Sequence, residues 1–270
     1  MDSTPHPLQA TAHGPAIGLV GHGRMGQAVH RLAADAGCRV TCIVAPTAAA
    51  ATHRSLDEVT PAQAPDVWID FSHPSAIWSH LEAYSRGTVP AVIGTTGWTD
   101  RLDEAHDLFA SASAPAVWAG NFSVGVTLLL RLVEHATALL EGVGGYDVGI
   151  HEVHHRRKAD SPSGTALHLA EALGRADDLQ ISSTRIGHVP GTHTVWFDSP
   201  QDTLELTHTA RSRDGFAAGA LRAARWLTQE PPAPGLWRFD DLLAERLATT
   251  HPGEGHRIGT PTPHPTQEDA

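Results

Sequence analysis

An apolar run, Ala16 to Val20, meets Gly21, His22, Gly23, Arg24, Met25 and Gly26, and a helical pattern follows at once. Strand, G-x-G-x-x-G and helix in that order constrain the fold more than any other feature of the chain. The arrangement is that of the first βα turn of a dinucleotide-binding sheet. The glycines permit a tight turn and the close approach of a pyrophosphate, which then rests on the helix N-terminus. The helical pattern runs from Gln27 to about Ala36, with Val29, Leu32, Ala33 and Ala36 on one side, and Gly37 stops it. A second strand is expected at Arg39 to Val44. It should end in an acid that holds an adenine-ribose 2′-hydroxyl, but Ala45 and Pro46 follow instead. Arg24, His53 and Arg54 are placed to meet a 2′-phosphate, and equally to be solvated loop cations.

The βα alternation resumes at Asp66. DVWID reads as a buried strand ending in Asp70, Phe71 and Ser72, and PSAIWSHLEAYSRG as a helix with Ile77, Leu81 and Tyr84 inward. VPAVIGTTGW is a further strand running into Gly94, Thr95, Thr96 and Gly97; PAVWAGNFSVG is another, ending in Asn121, Phe122 and Ser123. Strands that end repeatedly in small or polar residues indicate an open parallel sheet that binds ligand along its carboxyl edge. A helix is expected from Val124 to Leu140, with Leu128, Leu132, Val133 and Ala136 at helical spacing, broken by Gly142 to Gly145. YDVGIHEVHH then alternates as a strand. A helix from about Thr165 to Leu173, strand-like THTVWF and DTLELTHTA, a helix from Phe216 to Leu227 and the segment Leu236 to Leu247 complete the ordered part.

Composition narrows the class. With 270 residues, 41% hydrophobic and 18% charged, the chain can build one large soluble domain or two modest ones. A formal charge of −11 argues against nucleic acid and anionic membranes as principal partners, without excluding a local basic pocket. No apolar run approaches a membrane span and the N-terminus lacks a signal peptide. Cys38 and Cys42 share one apolar segment; in a regular strand they would lie on one face, too far apart to bridge. They read as reduced core residues of a cytoplasmic protein. Residues 1–14 and 250–270, rich in Pro, Gly and polar residues, are expected to be disordered.

The chemistry concentrates in Glu152 to Thr165, EVHHRRKADSPSGT. Two adjacent histidines and three cations precede a Ser-Pro-Ser-Gly-Thr turn that opens a helix, whose N-terminus favours a carboxylate or phosphate. A literal H-E-x-x-H also occurs at His151, Glu152 and His155. A zinc hydrolase needs that spacing on a helix, whereas Val148, Gly149, Ile150 and Val153 favour a strand, where the histidines would stand roughly 13 Å apart. No metal is therefore expected. The zinc hydrolase is kept as an alternative, beside another nicotinamide dehydrogenase of the same fold and a non-catalytic nucleotide-binding regulator.

EVHHRRKADSPSGTA, together with GHGRMG, DFSHP, GTTGW and AGNFSVGV, resembles the 4-hydroxy-tetrahydrodipicolinate (dihydrodipicolinate) reductases, enzymes of the diaminopimelate route to lysine. RIGHVPGTHTVWF and LELTHTARSRDGFAAGALRAARWL resemble the same family, so the likeness runs in order from about Ile17 to Leu227. The resemblance implies an α/β fold: a Rossmann-type nucleotide domain over 15–124, completed by 214–249, and a smaller α+β substrate and oligomerisation domain over 125–213. It implies hydride transfer from NADPH or NADH to a cyclic dicarboxylate, in a homotetramer. It places the acid–base groups at His154 and Lys158 and substrate contacts at His155, Gly164 and Thr165. Nucleotide contacts fall at Gly21, His22, Gly23, Arg24, Met25 and Gly26, at Gly94, Thr95 and Thr96, and at Gly120, Asn121, Phe122 and Ser123. Arg156 and Arg157 read as solvent-facing and Asp160 as a group that orients the loop. Hinges are expected near Ser123 to Gly125 and Arg213 to Gly215.

Overall fold

The computed structural model describes residues 14–174 and 179–250. The expected disordered leader and tail lie, apart from Gly14 and Thr250, outside the described residues. Two sheets carry the chain. The first is parallel throughout, in the order β10-β5-β4-β3-β1-β2. Its strands are β1 (Ala16–Val20), β2 (Arg39–Val44), β3 (Val67–Asp70), β4 (Ala91–Ile93), β5 (Pro115–Trp118) and β10 (Gly235–Arg238). After β1 the chain steps to β2 on one side and to β3 on the other. That reversal opens a crevice at the carboxyl ends of β1 and β3, the place where such sheets take ligands.

Both faces of the parallel sheet are covered, as its continuous apolar strands require. Helices α1 (Arg24–Leu32), α6 (Asp214–Gln229) and α7 (Phe239–Thr250) bury one core with Ile17, Leu19, Ile69, Val92 and Phe122. Helices α2 (Pro74–Arg86) and α3 (Leu102–Phe109) bury a second with Val20, Trp68, Ile93 and Trp98. The second sheet has the order β7-β6-β8-β9, with β7 parallel to β6 and the rest antiparallel. It comprises β6 (Asp147–His154), β7 (Ile181–Arg185), β8 (Thr192–Asp198) and β9 (Thr203–Thr209). Helices α4 (Val124–Val143) and α5 (Gly164–Ala172) pack on it around Val133, Ile150, Leu169, Val195 and Phe197.

Several expectations are corrected. Helix α1 begins at Arg24, not Gln27, and its regular part ends at Leu32, because the last glycine of the turn already lies inside the helix. Helix α4 continues past Leu140 to Val143 through Gly142, and Leu128 and Leu132 face outward, 43% and 55% exposed. The two cysteines do not share a face: Cys38 packs in the first core and Cys42 in the second. The cause is a bulge in the β1–β2 pairing, where Ile17 faces Val40 but Gly18 faces Cys42, leaving Thr41 as the extra residue and inverting the alternation. Both cysteines are buried and free. Helix α3 and strands β7 and β10 are elements that the periodicity did not single out.

Candidate active site

The residues expected to meet the nucleotide stand at the carboxyl ends of β1, β3, β4 and β5. Gly21 has φ +88°, a conformation L side chains rarely adopt, and a Cβ there would come within 2.2 Å of the Phe71 carbonyl oxygen. At Gly26 a Cβ would meet the Gly21 carbonyl oxygen at 2.2 Å, and at Gly94 the Phe71 ring at 2.0 Å. Gly23 stands at the N-cap of α1 with no side-chain cap and open space beside its Cα, so the first N–H groups of the helix face outward. This cradle fits a pyrophosphate.

The other residues expected on this side divide by what their side chains do. Arg24 is exposed, Met25 leans on the first core, and Gly120 lies in the open. The His22 ring meets His30, Nε2 to Nδ1 at 3.3 Å, and burial followed by the His30 charge lowers its pKa. Phe122 is core, packed edge-on to Phe71 and against Phe239. Ser123 caps α4, accepting from Val126 N–H. Thr95 is buried and its hydroxyl donates to Asp70 Oδ1 at 2.8 Å; Thr96 is exposed beside it.

Asp70 organises this edge. Fully buried, it accepts from Ser72 N–H (2.9 Å), the Thr95 hydroxyl (2.8 Å) and the Tyr84 hydroxyl (2.8 Å), and its Oδ2 meets His80 Nδ1 at 2.8 Å. Burial alone would raise this carboxyl; the His80 hydrogen bond and charge, with hydrogen bonds from Ser72 and Thr95, hold it below its ordinary value. The turns after β3 and β4 are thereby tied to one anion. Beyond β2, Arg54 donates to the carbonyls of Ala45 (3.5 Å), Pro46 (3.2 Å) and Ala48 (3.3 Å), in the loop where a ribose-binding acid is expected.

The residues expected to meet the substrate are organised by β6. Alternation along the strand buries Ile150, Glu152 and His154 on one face and turns His151 and Val153 to the other. His151 stacks on Trp196 at 6.0 Å and meets Thr184 at 3.1 Å. His151 and Glu152 thus point to opposite faces, which separates the groups that the zinc-hydrolase alternative needs together.

Glu152 is wholly buried. Its Oε1 accepts from Ser163 N–H (3.0 Å), the Ser183 hydroxyl (2.8 Å) and Arg185 (2.7 Å). Its Oε2 lies 3.2 Å from His154 Nδ1 and 3.7 Å from His193 Nε2. Burial would raise the Glu152 carboxyl, but the hydrogen bonds from Ser163, Arg185 and Ser183 outweigh it and lower it to about 2. His193, opposite Glu152 in the β6–β8 register, is lowered to about 4 by burial and by the charge of His154. Burial also lowers His154, against the opposing pull of Glu152. Glu152, His154 and His193 offer ligand atoms within 4.8 Å of one another, a set that could hold a cation. Arg185 on the same carboxylate opposes a dication there.

The loop after β6 is pinned at both ends. Arg185 also donates to the Asp160 carbonyl at 2.6 Å, Arg156 N–H reaches Gly187 O at 3.3 Å, and Lys158 Nζ pairs with Asp160 at 2.9 Å. Arg156 and Arg157 are exposed, as expected. Ser163 caps α5 and meets His193 Nε2 at 3.1 Å. Gly164 has open space at its Cα, and half-buried His155 lies next to His154. Thr165 accepts a long hydrogen bond from Asn121 Nδ2 at 3.4 Å, joining the nucleotide edge to the start of α5. Sequence reasoning missed Arg185 and His193 and gave Glu152 only the zinc role. The available signal was the alternation of THTVWF, which puts His193 on the face of Val195 and Phe197.

Comparisons with known proteins agree over residues 16–243. The family profiles described as dihydrodipicolinate reductase, N-terminus, and dihydrodipicolinate reductase, C-terminus, match residues 16–122 and 125–243. The 4-hydroxy-tetrahydrodipicolinate reductase of Stenotrophomonas maltophilia is 40% identical over 246 residues, covering 88% of this chain and 98% of the relative. That of Thiobacillus denitrificans is 39% identical over 258 residues, covering 82% and 95%. That of Christiangramia forsetii is 34% identical over 243 residues, covering 85% and 98%. Among solved structures, the dipicolinate-bound dihydrodipicolinate reductase of Paenisporosarcina sp. TG-14 has a TM-score of 0.73 at 20% identity, covering 85% of this chain and 99% of that one, a likeness of fold. With both profiles matched in order and relatives aligned nearly end to end, the chain belongs to the dihydrodipicolinate reductase family, NAD(P)H-dependent oxidoreductases of lysine and diaminopimelate biosynthesis.

Proposed function

We propose that Lys158 and His154 are the acid–base groups with which this reductase converts 4-hydroxy-tetrahydrodipicolinate to tetrahydrodipicolinate. The observation that carries the reading is the Asn121–Thr165 contact, which sets the start of α5 against the nucleotide edge. When bound, the nicotinamide supplies the hydride. Lys158 supplies the accompanying proton, with His154 beside it as the second acid, and the 4-hydroxyl leaves as water, so that substrate, NAD(P)H and a proton give tetrahydrodipicolinate, NAD(P)+ and water. The N–H groups of Gly164 and Thr165 hold one carboxylate at the head of α5, and His155 contacts the ring. Lys158, Arg156 and Arg157 draw a dianion into an acidic protein.

The cofactor is NADPH or NADH, held along Gly21–Gly26, Gly94–Thr96 and Gly120–Ser123. No acid follows β2 to repel a 2′-phosphate, and Arg54 stands at that point, which supports use of both. Residues 15–124 and 214–249 serve the nucleotide and 125–213 the substrate and assembly, with hinges near Ser123–Gly125 and Arg213–Gly215; the separate core under the second sheet supports this division. The unpaired edge of β9, where Leu204 is 42% exposed, supports assembly into a homotetramer through that sheet. Two free buried thiols support a cytoplasmic setting, and no described helix is long and apolar enough to cross a membrane.

The test is loss of absorbance at 340 nm with NADPH and then NADH, using substrate generated in situ by the preceding synthase, with and without chelator. Oxidation of both cofactors that depends on the synthase product and ignores chelator is expected. Tight nucleotide binding without oxidation, or activity that chelator abolishes, would overturn the reading.

A further inference from the structure

Glu152 is the one carboxylate wholly buried in the second sheet among the described residues, and its two oxygens do different work. Oε1 is saturated by three donors from two places: Ser163 at the head of α5, and Ser183 and Arg185 on β7. Oε2 has no hydrogen bond of good geometry, yet it lies 3.2 Å from His154 Nδ1, itself buried and unpartnered. A buried anion and a buried ring nitrogen so placed are costly unless the nitrogen carries a proton toward the oxygen. The opposite nitrogen, His154 Nε2, lies over Gly191, where a Cβ would intrude to 2.9 Å. A side chain at 191 would crowd Nε2; glycine leaves it room.

We infer that Glu152 is the positioning residue of this active site: it fixes His154 with Nδ1–H on the carboxylate and Nε2 presented to the substrate, and it stabilises the ring's protonated form. The inference rests on the acid–base role proposed for His154. Other charged and titratable groups face the ring. From β8 comes His193, 5.0 Å away edge-on; from the loop come Lys158 and Asp160, and from β7 Arg185. Burial, Lys158 and Arg185 disfavour a positive ring, while Asp160 and above all Glu152 favour it. His208 on β9 faces His193 in turn. Glu152 therefore opposes burial and the charges of Lys158 and Arg185, which together still hold the ring below its ordinary value.

Glu152→Gln separates this role from that of anchoring the loop. The amide oxygen can still accept from Ser163, Ser183 and Arg185. The amide NH2 would face Nδ1, which must then accept, and that favours the neutral Nε2–H tautomer. Expected are nucleotide affinity unchanged, kcat/KM at pH 8 lower by at least ~10-fold, and the alkaline limb of the pH profile displaced to lower pH. The His154 Cε1 proton, assigned by its loss in His154→Gln, should titrate at lower pH in Glu152→Gln than in the wild type. An unmoved ring titration and pH limb, whatever the rate, would overturn the inference and leave Glu152 as a loop anchor. Should Glu152→Gln fail to fold, Glu152→Asp withdraws the anion by one methylene, and the same titration decides in the same way. Wild-type turnover in His154→Gln would sink the acid role proposed above, while the ring titration in the Glu152 variants would still report on Glu152, so the two failures are distinct.

Discussion

Lys158 is a half-buried cation paired with exposed Asp160, placed by a loop rather than by a strand or helix. Its partner Asp160 belongs to the same loop after β6, an element separate from the glycine turn at Gly21–Gly26. Removing its ammonium should therefore strike the chemical step and spare the nucleotide. We expect Lys158→Ala to lower kcat by ~100-fold or more while the NADPH dissociation constant changes by less than about twofold. Steady-state rates against fluorescence titration of the nucleotide make the comparison, and equal losses in both would contradict the assignment. Residues such as Thr95 and Phe122 are placed otherwise, with side chains committed to Asp70 and to the core. Any contact they make with the nucleotide runs through their backbone.

At the scale of elements, the head of α5 is the joint between chemistry and fold. Ser163 caps the helix, donates its N–H to Glu152 and meets His193. Ser163→Ala keeps the N–H bond but removes the cap and orphans a buried imidazole. We expect a loss of about 1–2 kcal/mol in unfolding free energy, with a rise in KM as Gly164 and Thr165 lose their fixed direction. Denaturant unfolding and substrate saturation curves check the pair of effects. These elements differed in how readable they were. Strands β2 and β3 and helix α2 announced themselves through apolar runs and periodicity, because each packs a wide apolar face. ISSTR of β7 has a single large apolar residue, since the strand lies at the sheet edge and its service is to bring Ser183 and Arg185 to Glu152. A strand recruited for polar contacts leaves little periodic trace. The loop EVHHRRKADSPSGT was legible as chemistry from its composition, but its organiser was not. Glu152 became visible only when β6 and β8 were paired and His193 came opposite it.

On the scale of the whole molecule, the described residues bury three apolar cores together with groups that titrate. Glu152 and His193 make stability depend on acidity. His193 binds its proton at about 4 in the fold but near 6.5 when unfolded, so the unfolded chain gains a proton first as pH falls. Its contribution, on the order of 3 kcal/mol, is full above 6.5 and is lost progressively toward 4. Glu152, lowered from 4.5 to about 2, adds a second loss that begins only below 4.5. The expected outcome is a midpoint of thermal unfolding that declines from pH 7 through pH 5 and more steeply below. Glu152→Gln should flatten the lowest part. A midpoint constant between pH 7 and pH 4.5 would refute the linkage.

The bulge at Thr41 sends Cys38 into the core beneath α1 and α6 and Cys42 into the core beneath α2 and α3. Burial raises both thiols above their ordinary values, so neither should react from the closed fold. The molecule consequently carries a native reporter on each side of its nucleotide sheet. Labelling by an aromatic disulfide, followed separately in Cys38→Ala and Cys42→Ala, would clock the opening of each layer. Saturating NADPH should slow both clocks if the cradle on β1 draws the two layers together, whereas slowing of one alone would mean that the layers breathe independently.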